Sequence, residues 1–458
     1  MNRPKLLLLH PPSERNVMRL GYCSQETKGG YFWADPALMA QSGILNARFE
    51  THFLDSVAEK LGPDATLKQI AAGRYDGILM MAGWASFGED ARFAEILSMR
   101  FPNARILSCG DVFRFHPEAF LARFPQFGAA LVEWTSRETV KYFARENGPF
   151  KEILLPGEKY SAVSPGPFSY GLPDYSRINL RNYRLPFPDF RQVATVLASA
   201  GCPCKCDYCM METAPLRPRD LGEVENELDY LAANGIKNIF FLDPMLNSSQ
   251  ERFSEFLKMM GGARRGMRFA GFFRADLLAA PDIVSLKRAG CAAMLIGIEH
   301  PDSGVLLEHA RASDIEKMKA VIGKARECGI FTIGHFIARL SPQDGSSIKH
   351  EAEFIRECGT DFVSVNELVL RPGTTLFDRW LAETGRDVVD ACLEARGRFP
   401  DGGGAFIATS PSVRSRALMR SHYMRLSSIL RLSRFIASPG SWKDLATNIL
   451  SLWGIHNN

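Results

Sequence analysis

Short, unbroken apolar runs alternate along this chain with longer amphipathic stretches. Lys5 to Leu9 (KLLLL), Asp76 to Ala82 (DGILMMA), Ala104 to Gly110 (ARILSCG) and Ala129 to Val132 (AALV) are four such runs. Arg48 to Asp55 (RFETHFLD) alternates into a further strand. Helical periodicity fills the intervals, as at 88–100. Strands that are apolar on both faces need cover on both faces. The pattern therefore predicts an α/β domain over residues 1–145, a doubly wound, Rossmann-like parallel sheet.

From 146 to 190 prolines and glycines interrupt every period, which predicts a linker, ordered by Phe150, Tyr160, Phe168, Tyr170, Tyr175 and Tyr183. The alternation then resumes. Strands are expected at 193–199, 237–242, 268–274, 292–298, 330–337 and 361–367, and helices at 222–234, 249–260, 281–289, 314–328 and 346–357. Six βα units predict a partial (β/α)6 barrel of the TIM type over 191–380, with its chemistry at the C-terminal ends of the strands. Residues 381–458 read as a helical C-terminal region. Within it, 412–436 carry Arg414, Arg416, Arg420, Arg425, Arg431 and Arg434 and no acidic residue. That stretch suits peripheral contact with an anionic membrane, and equally a solvated helix or a dimer surface.

Composition narrows the reading in three ways. A chain of 458 residues exceeds one ordinary core, and 46% hydrophobic with 23% charged residues places it in the globular class. A net charge of +4, with no basic, aromatic-interleaved domain, gives no case for a nucleic-acid partner. The first apolar run is too short for a signal-peptide core, and no stretch has the length to span a bilayer. Of 10 cysteines, four crowd into residues 202–209. Clustered rather than scattered in pairs, they suggest metal binding in a reducing compartment, so a cytoplasmic location is expected.

The chemistry concentrates at Cys202, Cys206 and Cys209, spaced CxxxCxxC just after the first barrel strand. Three thiolates on one loop can hold three irons of a [4Fe–4S] cluster and leave the fourth iron open. The competing assignment is a non-catalytic zinc–thiolate interaction protein. Structural zinc usually takes two separated ligand pairs, and no second pair with such spacing exists here. Cys204, inside the motif, is read as a non-ligand.

With Tyr208 just before the last cysteine, this motif resembles the signature of the radical S-adenosylmethionine (SAM) enzymes. The resemblance extends along the barrel, through Asp243, Arg274 and Glu299 at the ends of the second, third and fourth strands and Arg371-Pro372-Gly373-Thr374 after the sixth. It implies that SAM chelates the open iron through its amino and carboxylate groups and is cleaved to a 5′-deoxyadenosyl radical. Tyr208, Asp243, Arg274 and Glu299 are its implied contacts. Glu299 suits an ammonium or ribose hydroxyls, and Arg274 suits a carboxylate. The alternatives are a salt bridge of Arg274 with Glu299 at the rim and a helix N-cap at Asp243. Where the family often shows Gly-x-Pro-Gly-Glu after the fifth strand, this chain has Ala338-Arg339-Leu340-Ser341-Pro342.

Lys5 to Pro12, Tyr75 to Leu79, Ser108 to Asp111 and Leu172-Pro173-Asp174-Tyr175 resemble the cobalamin (B12)-binding-domain subfamily of these enzymes. A corrin is thereby implied, with Trp84 and Ser86 as its floor, although ordinary packing of Trp84 is the plain alternative. The DxHxxG pattern that supplies a cobalt ligand is absent, and Asp111-Val112-Phe113 places bulk where small residues are usual. The implied activity is cobalamin-dependent C-methylation of a secondary metabolite, lipid or tetrapyrrole-like small molecule, with a flavodoxin or ferredoxin as electron donor. Radical rearrangement, cyclisation or oxidation without methyl transfer is the alternative.

Overall fold

The computed structural model describes residues 3–394, apart from 21–24, 28–30, 162–165, 167, 188, 262–265, 339 and 342–344, with no side-chain description at 25–26, 345–348, 367 and 392–394. Arg339 and the basic stretch 412–436 lie outside the described residues. Two units account for the rest. One contains Phe32–Tyr183 with the residues before Lys28 and from Phe377 onward; the other contains Tyr31 and Arg184–Leu376.

The first unit is built on six strands: β1 (Lys5–His10), β2 (Glu50–Asp55), β3 (Gly77–Met81), β4 (Arg105–Cys109), β5 (Ala129–Leu131) and β6 (Ile153–Leu154). Their order is β2-β1-β3-β4-β5-β6, parallel throughout except for the last pair. Leu6 to Leu9 and Ile78 to Met81 are at most 1% exposed, the burial on both faces that an unbroken apolar run demands. Helices Pro36–Leu45, Pro63–Gly73 and Phe87–Arg100 connect the strands. The chain order reverses between β1 and β3. In such sheets a ligand crevice opens there, outside the carboxyl ends of the strands. One strand, β6, comes from within the stretch read as a linker. Its two apolar residues were too few to stand out as a period among prolines.

The second unit contains β7 (Val193–Val196), β8 (Asn238–Phe241), β9 (Arg268–Phe273), β10 (Cys291–Glu299), β11 (Phe331–Ala338) and β12 (Phe362–Glu367). They run parallel in sequential order, with β7 and β12 at the two edges. Helices Leu221–Ala233, Gln250–Gly261, Ala280–Arg288 and Ile315–Glu327 each bury an apolar stripe at helical spacing, as Val224, Leu228 and Leu231 do in the first and Phe253, Phe256 and Met260 in the second. The register places Phe272, Leu295, Ile333 and Phe362 side by side, and Gly297, His335 and Ser364 one layer nearer the carboxyl ends.

The strand expected at 193–199 stops at Val196. Ser199–Ala200 turns away and pairs antiparallel with Arg217–Pro218. This two-residue ladder closes the base of the cysteine loop. Among the described residues no helix is long and apolar enough to cross a membrane.

Candidate active site

Gly201 opens the cysteine loop with φ of 77°, and a Cβ there would lie 2.0 Å from the Pro215 carbonyl oxygen. Only glycine lets the two ends of the loop pass this closely. The loop then closes on itself. The Cys202 amide donates to the Ala214 carbonyl (3.0 Å), the Cys209 amide to Cys206 (3.0 Å) and the Glu212 amide to Cys209 (2.9 Å). Two further amides point at sulfur, Cys204 N at Cys202 Sγ and Met211 N at Cys209 Sγ, both at 3.5 Å. Amides aimed at sulfur stabilise thiolates, so the donor set and its surroundings fit an iron–sulfur cluster.

Charge in the loop is already distributed. The Cys202 thiol donates to the Cys204 sulfur, and this bond, aided by Arg274 and Arg311, brings Cys204 down to about 6 and drives Cys202 up. Burial raises Cys206, against the pull of Arg311. Burial also raises the Tyr208 phenol, with Glu299 acting in the same direction. The Tyr208 hydroxyl is buried and lies beside the Cys206 sulfur, whose rise it opposes.

The other barrel residues divide. Arg274 sits just past β9, its backbone held by the Asn247 side chain on both sides (2.9 and 3.0 Å). Its guanidinium forks onto Asp276, Nε to Oδ1 at 2.8 Å and Nη2 to Oδ2 at 2.5 Å, and reaches the Ala312 carbonyl at 2.6 Å. Nη1 lies 3.6 Å from Cys204 Sγ. The rim pair of Arg274 with Glu299 is therefore not formed, because Asp276, two residues on, takes the fork. Asp243 is fully buried. It accepts from the Ala198 amide (3.0 Å) and the Ser199 hydroxyl (2.7 Å), and burial raises it to about 6. It pins the start of the cysteine loop and caps no helix. It also borders a cavity of about 90 Å³ with Leu216, Leu246, Arg252 and Phe256.

Glu299 ends β10 at φ of 68°, in the left-handed region, where the register with β11 shifts by a residue. Backbone strain of this kind persists only where the surroundings impose it, and it gathers at functional sites. The protein packed round the carboxyl raises its pKa, opposed by Arg311 and then Arg274.

Arg311, which the sequence did not single out, is 7% exposed and donates through Nη2 to the Gly297 carbonyl at 2.6 Å. Burial works against its charge, but Glu299, Tyr208 and the Cys206 sulfur hold it protonated. Its Nε has no partner among the described residues. Gly297 makes this possible, since a Cβ there would stand 2.6 Å from Glu299 Oε1 and 3.3 Å from Arg311 Nη2. Cys206, Tyr208, Glu299 and Arg311 thus form one electrostatic neighbourhood, while Arg274 reaches it through Cys204. Asp243 supports it from below. No local sequence signal marks Arg311, since an arginine in a short connection between two helices usually faces water.

In the first unit Trp84 is 2% exposed, packed edge-on to Phe120 with ring centroids 5.0 Å apart. Ser86 is fully buried and donates to Asp90 at 2.8 Å. Asp90 also receives the buried Arg19 guanidinium at 2.7 Å. Ser86 is therefore committed, and of this expected floor only Trp84 Nε1 lacks a partner among the described residues. Two more buried atoms nearby share that condition, Asp35 Oδ2 and Ser56 Oγ. Burial raises Asp35 to about 8, with Asp55 and Asp111 adding to the rise. Orphaned polar atoms at the carboxyl ends of a Rossmann-like sheet fit a ligand fringed with amides, as a corrin is.

Comparison with known proteins bears on the domain and the fold. Residues 196–366 match the Radical SAM superfamily. A segment of 197 residues is 26% identical to bacteriochlorophyllide d C-12(1)-methyltransferase of Chlorobaculum tepidum, covering 41% of this chain and 43% of that protein. The match thus spans less than half the relative's length. Among solved structures, the radical SAM methyltransferase TsrM of Kitasatospora setae, with cobalamin and a [4Fe–4S] cluster bound, aligns over 100% of this chain and 91% of its own. Its TM-score is 0.62 at 15% identity. The cobalamin-dependent SAM radical enzyme OxsB, with aqua-cobalamin and SAM bound, aligns over 84% of this chain and 56% of its own, with a TM-score of 0.60 at 14% identity. At such identities the likeness is one of fold. The chain carries a radical SAM domain, in a fold shared with cobalamin-dependent members of that superfamily.

Proposed function

We propose that this protein is a cobalamin-dependent radical SAM methyltransferase that acts on an unactivated carbon of a small molecule. The observation that carries the reading is the meeting of Cys206 and Tyr208 with Glu299 and Arg311 beside a three-cysteine loop. Cys202, Cys206 and Cys209 would hold a [4Fe–4S] cluster, which supplies the electron that breaks the SAM sulfonium bond. Cobalamin, at the carboxyl ends of the first sheet, would supply methyl-transfer chemistry.

The chain's own residues define the rest. Arg311 offers a fixed cation to the SAM carboxylate, and its burial strengthens that attraction. Glu299 offers an acceptor to an ammonium or a ribose hydroxyl, held in place by its strained backbone. His335 and Ser364, in one layer of the barrel, and Phe272 one layer below, its ring 5.9 Å from that of His335, are candidate walls for substrate. A tetrapyrrole-like substrate is favoured by the activity named for the Chlorobaculum relative. A flavodoxin or ferredoxin is the expected donor of the electron.

The test is anaerobic reconstitution with iron, sulfide and a corrin, followed by reduction in the presence of SAM labelled in its methyl group. The reading expects 5′-deoxyadenosine and labelled product. Formation of 5′-deoxyadenosine without label in product would leave the radical chemistry and remove the methyl transfer.

A further inference from the structure

We propose that His309 is a positioning residue for the cluster loop, acting through Asp207. The proposal rests on assigning the cluster to Cys202, Cys206 and Cys209.

Asp207 stands one residue from Cys206 and two from Cys209. Its carboxylate Oδ1 lies 2.9 Å from His309 Nδ1. The opposite ring nitrogen, Nε2, lies 2.8 Å from the carbonyl of Leu340, a buried residue after β11. Both ring nitrogens face oxygen acceptors, so the ring bridges them, donating to one of them as a neutral tautomer and to both as an imidazolium. It ties the cysteine loop to the connection after the fifth barrel strand. The main chain repeats the link, with the Asp207 amide 3.4 Å from the His309 carbonyl. The Tyr208 ring packs edge-on against the imidazole, with centroids 5.8 Å apart at 71°.

A second anchor holds the same residue from another side. The Leu376 amide donates to the Asp207 carbonyl at 3.2 Å. Next to it, Thr375 binds the Glu212 carboxylate through its hydroxyl (2.8 Å) and its amide (3.2 Å). Asp207 is therefore the knot at which three distant segments meet, and it lies between two cluster ligands. Rotation of this one residue would displace both sulfurs. His309 also begins the turn that presents Arg311 to Cys206, with Ala310 between them at φ of 54°. Partners that orient a metal's ligands typically alter metal affinity by about 10–100-fold when removed.

The test uses His309→Phe, which keeps a ring and removes both ring nitrogens, and Asp207→Asn, which keeps an acceptor and removes the charge. Lys317→Ala, at an exposed position of helix Ile315–Glu327, is the control. The first readout is amide hydrogen exchange over residues 206–212 in cluster-free full-length protein. The second is iron release to a chelator after anaerobic loading, with the electron paramagnetic resonance spectrum of the reduced cluster. The proposal expects His309→Phe to exchange at least about tenfold faster over this loop alone, to release iron about 10–100-fold faster, and to shift the g-values. Asp207→Asn should show the same changes to a smaller degree. Wild-type exchange over the loop in both variants would overturn the proposal. Faster exchange in a protein whose wild type takes up no cluster would support the positioning role and refute the cluster assignment. Iron release and g-values matching wild type, despite faster exchange, would overturn it as a device acting on the cluster.

Discussion

Adding one methyl group at Gly297 probes the site without substituting any group proposed to bind. In Gly297→Ala the new Cβ would stand 2.6 Å from Glu299 Oε1, where nearly 3.4 Å is the comfortable approach, and 3.3 Å from Arg311 Nη2. Relief must come from the Glu299 side chain, because its backbone is fixed at φ of 68° by the offset pairing with β11. Turning that side chain off its rotamer costs about 0.5–1.5 kcal/mol. Moving the carboxylate by about 1 Å costs far more in function, on the order of 100-fold where geometry governs the reaction. The expected outcome is a rise in KM for SAM of about 10–100-fold, with the melting temperature lowered by only a few degrees. The assay is 5′-deoxyadenosine formation under strictly anaerobic reduction. Gly334→Ala is the companion variant. Its Cβ would press on Ile298, Phe336 and Thr360 at 3.0–3.1 Å, away from the cysteine loop. It should lower stability and leave KM unchanged. A wild-type KM in Gly297→Ala, or equal KM changes in both variants, would refute the placement of Glu299 and Arg311 at the SAM site.

Two further outcomes follow from charge. Arg311→Met leaves Glu299 without its strongest compensating cation, so the carboxyl, already raised by burial, rises further; 5′-deoxyadenosine formation should fall, and its acid limb should move to higher pH, which rate profiles between pH 6 and 9 would show. In the first unit, the Asp35 carboxyl is raised from 3.8 to about 8, so the folded state favours its protonated form; that contribution is complete below about pH 4 and is lost as pH climbs through 8. Asp35→Asn keeps a capping oxygen for the Ala37 and Leu38 amides and should gain on wild type as pH rises from 4 to 9, by as much as about 5 kcal/mol as an upper bound. Denaturant melts across that range decide it, and a stability difference independent of pH would contradict the assignment.

Much of the architecture was legible because both sheets are parallel and buried. Runs such as Leu6 to Leu9 and Ile78 to Met81 must be strands if they are to hide every side chain, and the spacing of helices between them leaves few topologies. The cysteine loop was legible for a different reason, since CxxxCxxC has few uses. Three kinds of feature stayed hidden. The strand Ile153–Leu154 is too short to establish a period. The fork of Arg274 onto Asp276 is local, yet sequence spacing alone does not distinguish it from a fork onto Glu299. Arg311 and His309 act across the fold, and nothing in a lone arginine or histidine after a short helix reveals what the loop will meet. Ser86 misled in the opposite sense. A serine after a sheet strand reads as available, but Asp90, one helical turn on, claims its hydroxyl.

The central claim is a cubane cluster anchored by Cys202, Cys206 and Cys209. Iron, sulfide and zinc analysis of anaerobically purified protein, wild type beside the triple Cys→Ala variant, tests it most directly. The account predicts about four irons and four sulfides per wild-type chain and none in the variant. Stoichiometric zinc in the wild type, or iron retained without those three thiols, would contradict it.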